Sequence, residues 1–188
     1  MLKMILGAVA AAAVLFGPAS AMIGVGLFVN PALVEAELCG TSALTLDGTI
    51  PGSLIGTTTT GATVTLDHSQ LGRAATIIEV GAGTAGVGTN GVLVALMAAL
   101  TESDLRMLAN TTAYPASATY PHDGDGSDHD SLGMFQMRPT AGWGSVVQLM
   151  DPTYQAAAFF GGPTGPNHGS PRGLLDVPDW EALSLGAA

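Results

Sequence analysis

Acidic and histidine side chains are concentrated in one Gly-rich stretch, residues 122–130. Like charges at this density repel one another unless they are solvated, hydrogen-bonded or neutralised by a cation. Oxygen-bearing side chains recur there at nearly alternate positions, which suits Ca²⁺. The spacing is not that of an EF-hand loop, because Asp128 occupies the sixth position instead of Gly and Met134 the twelfth instead of Glu. The candidate calcium ligands are Asp123, Asp125, Ser127, Asp128 and Asp130.

Two other interpretations of this acidic stretch remain open. Zinc would need His122 and His129 to converge with His168 or with an Asp, and imidazoles at such irregular spacing are a weak signal. The stretch can instead be a loop that faces water or a saccharide without a bound ion. It lies directly before an apolar and aromatic run that ends at Trp143, which indicates a site wall.

Glu102 is the strongest candidate for a catalytic acid. It follows an apolar run, residues 92–100, that predicts a helix buried on every side, since no polar stripe interrupts it. A carboxyl group at the C-terminal end of such a helix is partly desolvated and lies near the negative pole of the helix dipole. Both effects disfavour its charged form. We therefore expect a proton donor of the kind that glycosidic bond cleavage requires at the leaving-group oxygen.

Two short motifs adjoin the acidic stretch, Glu102-Ser103 before it and Ser131-Leu132-Gly133-Met134-Phe135-Gln136 after it. Together they resemble the Glu-Ser and Ser-x-Gly-(Leu/Met)-(Met/Phe)-Gln motifs of the lysozyme-like lytic transglycosylase family. The likeness extends to SLT-type domains of actinobacterial membrane-anchored cell-wall-degrading proteins, and it covers about residues 67–188. The further matching segments are 123–133, 136–139, 142–144 and 150–152.

The resemblance implies cleavage of the β-1,4 bond between N-acetylmuramic acid and N-acetylglucosamine. Glu102 would act as acid and then as base, and Ser103 would support its surroundings. Ser131 and Gln136 would line the saccharide cleft. Members of the family commonly use one carboxylic acid and capture the intermediate with the sugar's own hydroxyl, so no cofactor is required. If water is used instead, an Asp of the acidic stretch would be the second carboxylate.

Aromatic residues add to the expected cleft. Trp143, between two glycines, can stack on a sugar face, as can Tyr114 and Tyr120, with core packing as the alternative for Trp143. The sequence departs from the family at Met137, where relatives often have a second Gln. It also stops where similar proteins continue into a further helix, so we expect a domain truncated at its C-terminus. The candidate substrate-binding residues are Ser103, Ser131, Gln136 and Trp143.

Helix signals predict a small, mainly α-helical domain with long loops over residues 67–188. Asp67 and Gln70 form a capping-box pattern before an amphipathic helix that Gly81 and Gly83 stop. Asn90 is the expected cap of the apolar helix that leads to Glu102.

The second half of this domain carries a further start signal. Asp151-Pro152 begins a helix that stops at Gly161-Gly162. Residues 163–173 are too rich in Gly and Pro for regular structure, and residues 174–180 lead into a last, incomplete helix.

The N-terminal third differs in composition. Residues 4–29 contain no charge and exceed the about 20 residues that a membrane helix needs, so we expect a signal anchor or signal peptide over residues 1–30. Residues 31–66 predict a Thr/Gly-rich tether with a short strand at 62–66, an ordered edge strand with loops being the alternative. The domain would then lie outside the cytoplasm of a single-pass membrane protein, or be secreted if the signal is cleaved.

Charge and function class follow from the whole chain. A net charge of -10 with one lysine and four scattered arginines provides no basic stripe, which excludes nucleic acid as an expected partner. Cys39 is the single cysteine, so no internal disulfide forms.

We expect a membrane-anchored enzyme that opens peptidoglycan locally, for secretion, conjugation or remodelling machinery. The alternatives are a non-catalytic peptidoglycan-binding module and a Ca²⁺-stabilised structural module of a surface or conjugation assembly.

Overall fold

The structure is a computed structural model that describes residues 48–58 and 61–182. The prediction of a helical domain is confirmed in its coarser form for this part of the chain, which has four α-helices and a two-stranded sheet. The elements are β1 (Ser53–Thr57), β2 (Thr63–Asp67), α1 (His68–Gly83), α2 (Gly88–Ser103), α3 (Val146–Leu149) and α4 (Pro152–Phe160). Short 3-10 helices occur at Pro115–Thr119, Pro139–Ala141, Leu174–Asp176 and Trp180–Ala182.

The predicted signal anchor or signal peptide, residues 1–30, and residues 31–47 of the predicted tether lie outside the described residues. Within the described ranges, no helix has the length and apolar character needed to cross a membrane.

The end of the predicted tether is an ordered β-hairpin. The strand expected at 62–66 is confirmed as β2, which pairs antiparallel with β1 in a register that sets Leu54 opposite Leu66. Leu66 is buried in the core, and Leu54 and Val64 pack against it. The expectation of an extended tether is therefore wrong from residue 53 onwards, because alternating apolar residues turn one face of the hairpin towards the helices.

Helix α1 begins with the predicted capping box. The Asp67 carboxylate accepts a hydrogen bond from Gln70 N at 2.9 Å, and the Gln70 amide oxygen accepts one from Asp67 N at 2.8 Å. The helix includes Gly81 and ends at Gly83. A Cβ at Gly81 would lie 2.6 Å from Val92 and 2.9 Å from Phe160, so only glycine allows α1, α2 and α4 to approach this closely.

Helix α2 is buried as its composition predicts. Every residue from Gly91 to Leu96 is buried, and the core cluster of the domain includes Val92, Leu96 and Ala99. The expected Asn90 cap is wrong, since the helix begins at Gly88 after Val87 and no side chain caps it. Val87 is itself buried, so packing rather than capping determines this helix start.

Helix α4 begins and ends as predicted. The Asp151 side chain accepts from Thr153 N at 2.8 Å, Pro152 is the first helical residue and the helix stops before Gly161. The last helix expected after residue 174 is instead two 3-10 turns within the described residues. The connection between α2 and α3 is 42 residues long and contains no α-helix or extended strand. It carries most of the residues of the predicted site.

Candidate functional site

A cleft of ≈ 270 Å³ lies where the C-terminal end of α2 meets α4, the 135–137 turn and the 172–177 segment. Its walls are largely aromatic and apolar, with three polar side chains among them. This volume is just under the about 300–1,000 Å³ of typical ligand sites, so the cleft fits one part of a polymer rather than a long stretch of it. The lining residues are Ala98, Glu102, Phe135, Gln136, Met137, Trp143, Phe159, Arg172, Gly173, Leu174 and Val177.

A second hollow, ≈ 470 Å³, is lined only by consecutive residues from 175 to 182. It is formed by one continuous segment of the chain, and it adjoins the end of the described part of the chain. We therefore place the candidate site in the smaller cleft.

Glu102 lies on this cleft in the last turn of α2. Its side chain is exposed, which corrects the expectation of a partly desolvated carboxyl group. Beyond Leu100, Thr101 and Glu102 are exposed to solvent, whereas Ser103 at the end of α2 is buried. Within the described residues the Glu102 carboxylate makes no hydrogen bond or ion pair, so it is available to a ligand.

The end of α2 is fixed on two sides. Gln70 of α1 donates from Nε2 to the Asp104 carbonyl at 2.6 Å, directly after the helix. Ser103 donates from Oγ to the Met134 carbonyl at 2.8 Å, and it also lies 3.3 Å from the Ala99 carbonyl. Asp104 adopts the left-handed conformation, with φ 55°, that ends the helix. These contacts hold the Glu102 backbone without using its carboxylate.

The two predicted serine ligands lie beneath the cleft rather than on it. Ser103 is 5% exposed and Ser131 is 3% exposed, and neither lines the cavity. Ser103 uses its hydroxyl to join α2 to the 134–136 turn, while the Ser131 backbone carbonyl accepts from Asn110. In this arrangement neither serine side chain reaches the cleft, because both are buried in the core.

The 131–137 turn is built around buried Gln155 of α4. The Gln155 side chain accepts from Phe135 N at 2.9 Å and donates to the carbonyls of Leu132 at 2.8 Å and Leu149 at 2.6 Å. Gly133 takes the left-handed conformation there, with φ 72°. The turn therefore places Phe135 and Gln136 on the cleft.

Gln136 and Trp143 both line the cleft, as the sequence predicted. Gln136 donates from Nε2 to the Gly133 carbonyl at 2.7 Å, and its Oε1 accepts no hydrogen bond from the described residues. Trp143 is half-buried, and the Arg172 guanidinium lies over its ring at 5.4 Å from the centroid. Tyr114 and Tyr120 do not line the cleft.

The apolar floor of the cleft comes from two phenylalanines. Phe135 and Phe159 stack with ring centroids 4.5 Å apart and an interplanar angle of 16°. Phe159 is on α4 and Phe135 is on the turn, so this contact joins the two walls. The aromatic faces of the cleft can pack against the apolar face of a sugar ring.

The carboxylates of the acidic stretch are used within the protein. Asp123 pairs with Arg73 at 2.6 Å and accepts from Met107 N at 2.7 Å, and Asp125 accepts from Thr111 N and Oγ1 at 2.8 and 2.5 Å. Hydrogen bonds from the Thr111 hydroxyl and backbone hold the pKa of Asp125 below its usual value, against a smaller opposing effect of burial. These bonds attach the stretch to α1 and to the 107–111 segment.

Asp130 has the most partners of these residues. It pairs with Arg138 and accepts from Thr140 N at 3.1 Å, Thr140 Oγ1 at 2.5 Å and Tyr114 Oη at 3.1 Å. The Thr140 hydroxyl, foremost among these donors, holds the pKa of Asp130 far below its usual value, although burial acts in the opposite direction.

The predicted metal ligands do not converge. Over residues 48–58 and 61–182, no three His, Cys, Asp or Glu side chains form a metal-binding group. Asp128 instead lies 2.7 Å from His129 Nδ1 at the surface, and Ser127 is exposed. His122 and His168 each contact backbone carbonyls of nearby residues, those of Gly124 and Gly165.

Asp130→Asn is expected to lower the melting temperature near neutral pH, because Arg138 loses its anionic partner. The pKa of Asp130 is depressed in the folded state, so its stabilising contribution is present above about 3.9, the unfolded value, and is lost as pH falls further. The difference in melting temperature between wild type and variant should therefore begin to shrink below about pH 5 and go on shrinking as the pH falls towards the depressed pKa of the folded state.

Thermal unfolding at a series of pH values measures this difference. Asp128→Asn is the matched control, since its exposed carboxylate contacts only the neighbouring His129 ring among the described residues. A difference for Asp130→Asn that is constant across this pH range would contradict the role assigned to its charge.

Several residues of the site were not predicted from the sequence. Arg172 completes the cleft, and Gln155 and Asn110 satisfy buried backbone groups beneath it. Asn110 is fully buried and donates from Nδ2 to the His129 carbonyl at 3.1 Å. A polar residue within an apolar helical stripe, as Gln155 is, was the available signal for a buried hydrogen-bonding role.

Comparison with protein-family models and with curated protein sequences finds no match to this chain. The function is therefore argued from the geometry of the cleft.

Proposed function

We propose that this protein cleaves peptidoglycan glycan strands, with a lysozyme-like helical domain and Glu102 as the general acid. The observation that carries the proposal is an exposed carboxylate on an aromatic-lined cleft, without a hydrogen-bonding partner in the described part of the chain. Cleavage of a glycosidic bond requires an acid that can reach the leaving-group oxygen. A carboxylate already occupied by protein donors, as Asp123 and Asp130 are, is less suited to that role.

In the proposed reaction, Glu102 gives its proton to the glycosidic oxygen as the bond between that oxygen and the anomeric carbon breaks. The sugar passes through an oxocarbenium-like transition state. The Glu102 carboxylate then accepts the proton of the sugar's own hydroxyl as that hydroxyl closes on the anomeric carbon, and an anhydro end forms. If water attacks instead, the same carboxylate acts as the base for water.

The other cleft residues have binding roles in this proposal. Trp143 and Phe159, which are both partly exposed, offer aromatic surface to sugar rings, and buried Phe135 stacks on Phe159 and supports it. Gln136 Oε1 accepts no hydrogen bond from the described residues, so it can accept one from a sugar hydroxyl or amide. Ser103 acts through the backbone, because it positions the end of α2 against the turn that carries these residues.

The proposed chemistry requires no metal. The signal anchor or signal peptide expected at residues 1–30 would bring the domain to the outer side of a membrane. Anchoring would restrict cleavage to nearby wall, as expected for a component of secretion, conjugation or remodelling machinery.

The test is release of soluble fragments from purified peptidoglycan by the purified protein, with products identified by mass spectrometry. Anhydro-muropeptides would support transglycosylation, and reducing muropeptides would support hydrolysis. Retention of the protein on sedimented peptidoglycan without any release would instead assign the chain to the alternative, a non-catalytic binding module. A folded protein that is not retained on peptidoglycan and releases no fragments from it would contradict the proposal.

A further inference from the structure

Arg172 differs from the other arginines in its charge environment. In the part of the chain that the structure describes, Arg73 pairs with Asp123, Arg106 with Asp104 and Arg138 with Asp130, and Arg172 has no carboxylate partner. Arg172 is also the arginine that lines the cleft. In a protein of net charge -10, an unpaired cation on a cleft indicates a place for an anion that the protein itself does not supply.

The Arg172 guanidinium is held in place but keeps donors free. Nε donates to the Ser170 carbonyl at 3.1 Å, one terminal nitrogen donates to Ser170 Oγ at 2.7 Å and the other to the Ala141 carbonyl. A guanidinium has five N–H groups. Two therefore have no partner among the described residues, one on each terminal nitrogen, and two is the number that a carboxylate accepts in a bidentate pair.

The backbone around Arg172 is fixed as well. The Asp176 carboxylate accepts from the backbone N–H groups of Arg172 at 3.1 Å, Gly173 at 2.9 Å and Gly162 at 3.2 Å. Burial would raise the pKa of Asp176, but these three bonds together hold it below its usual value. The side chain also lies against the Trp143 ring. An arginine held on both sides loses little freedom when it binds a ligand.

We propose that Arg172 is a specificity-determining residue that binds a carboxylate carried by the muramoyl residue of the glycan strand. The inference rests on the proposed function, because it concerns a ligand of the same cleft. The carboxylate belongs either to the lactyl group, after removal of the peptide stem, or to the stem itself. Trp143 then contacts the sugar ring while Arg172 binds the acidic substituent beside it. A neutral chitin oligosaccharide would use the ring contact alone.

The experiment measures binding in the Glu102→Gln background, where turnover is blocked. The three probes are chitotetraose, which has no carboxylate, a muramoyl tetrasaccharide without stems, and the same tetrasaccharide with stems. Calorimetric titration gives the affinity for each. We expect the carboxylate-bearing probe that Arg172 recognises to bind about tenfold more tightly than chitotetraose, as a charged hydrogen bond predicts.

Arg172→Gln in the same background should reduce this affinity ratio to about one, and Arg172→Lys should retain part of it, because the charge remains but the fork is lost. The ratio should also fall with added salt. A purely structural role of Arg172 in holding Trp143 would weaken all three probes equally, so equal weakening would overturn the inference.

The remaining outcomes separate this inference from the proposed function. If chitotetraose and both muramoyl probes bind equally well to the protein that retains Arg172, the role of Arg172 is overturned. The cleft would still be a glycan-binding site. No binding of any probe by a folded protein would reject the cleft as a glycan site, and the inference with it. A higher affinity than chitotetraose for the probe without stems identifies the lactyl group as the source of the carboxylate. A higher affinity for the probe with stems identifies the stem.

Discussion

Glu102→Gln is expected to lower the rate of glycan-strand cleavage by about 10²–10⁴-fold, the usual contribution of a positioned general acid. Glutamine has nearly the size of glutamate and keeps a polar end on the cleft, but its amide cannot deliver a proton to the glycosidic oxygen. Substrate binding should change little, because the aromatic faces and Gln136 remain. The measurement is the initial rate of muropeptide release from purified peptidoglycan.

The fold gives this prediction a clear stability control. Glu102 is exposed and has no protein partner in the described residues, so the substitution should change the free energy of unfolding by no more than about 0.5 kcal/mol. Glu79→Gln is the matched variant. Glu79 is also an exposed glutamate on a helix, α1, and it does not line the cleft. It should leave both the melting temperature and the rate of release unchanged.

The outcomes distinguish local chemistry from general effects. Equal release by wild type and Glu102→Gln would remove Glu102 as the acid. A similar loss of release in Glu79→Gln would attribute the effect to the charge of the protein rather than to the cleft. If Glu102→Gln loses release and its melting temperature also falls greatly, the carboxylate must stabilise the fold. That result would contradict the absence of a protein partner for it in the described residues.

Helix starts were predictable from the sequence where the capping side chain and the backbone group it bonds are three residues apart or fewer. The capping box of Asp67 and Gln70 and the start at Asp151-Pro152 are present as expected. A similar signal, Ser145 followed by Gln148, was missed, and Gln148 Oε1 accepts from Ser145 N at 2.9 Å at the start of α3. Such bonds join residues that are close in sequence, so the local pattern alone indicates them.

Elements that depend on tertiary packing were less predictable. Helix α2 begins beside buried Val87 rather than at Asn90, because burial stabilises a helix more than one cap does. The Thr-rich composition of residues 31–66 favours a tether with a short strand over ordered strand and loops, because it hides the alternation of Leu54, Val64 and Leu66 against the core. In both cases, contacts with α-helices elsewhere in the chain decide the local structure.

The candidate site shows the same division. The motifs led to Glu102, Gln136 and Trp143, which line one cleft. The motifs did not predict that the carboxylates of the acidic stretch bond within the protein. The partners of Asp123 and Asp130 come from α1 and from the 138–140 segment, which are distant from them in the sequence pattern. Arg172 gave no signal in a Gly/Pro-rich loop, since its role depends on its contact with Trp143.

Gly133 explains why the motif between Ser131 and Gln136 needs a glycine. Its φ of 72° is unfavourable for residues that have a Cβ. A Cβ at this position would lie 1.8 Å from Gln155 Nε2 and 2.6 Å from the Leu149 carbonyl oxygen. The glycine therefore lets the turn lie directly on the amide that satisfies its backbone.

Gly133→Ala is expected to destabilise the protein by about 4 kcal/mol or more, a large share of the about 5–15 kcal/mol that stabilises a typical domain. About 1–3 kcal/mol comes from the left-handed backbone. The remainder comes from displacement of Gln155, because Phe135 N and the Leu132 and Leu149 carbonyls then lose buried partners at about 1–3 kcal/mol each. Chemical denaturation measures the change.

Gly72→Ala is the control for adding a methyl group to a glycine. Gly72 lies within α1, and a Cβ there meets no atom within 4 Å, so this variant should be neutral or more stable by up to about 1 kcal/mol. Equal effects of the two substitutions would contradict the strain assigned to Gly133.

The variant Gly133→Ala/Gln155→Ala separates the clash from the backbone strain. Gln155→Ala alone destabilises the protein, since it removes three buried hydrogen bonds. Adding Gly133→Ala to it should cost only the strain of the left-handed backbone and the approach to the Leu149 carbonyl, because the amide that a Cβ would strike is gone. The two substitutions should therefore couple by about 0.5–3 kcal/mol. Additive effects would mean that Gln155 moves aside freely, and the turn that carries Phe135 and Gln136 would then not be held by it.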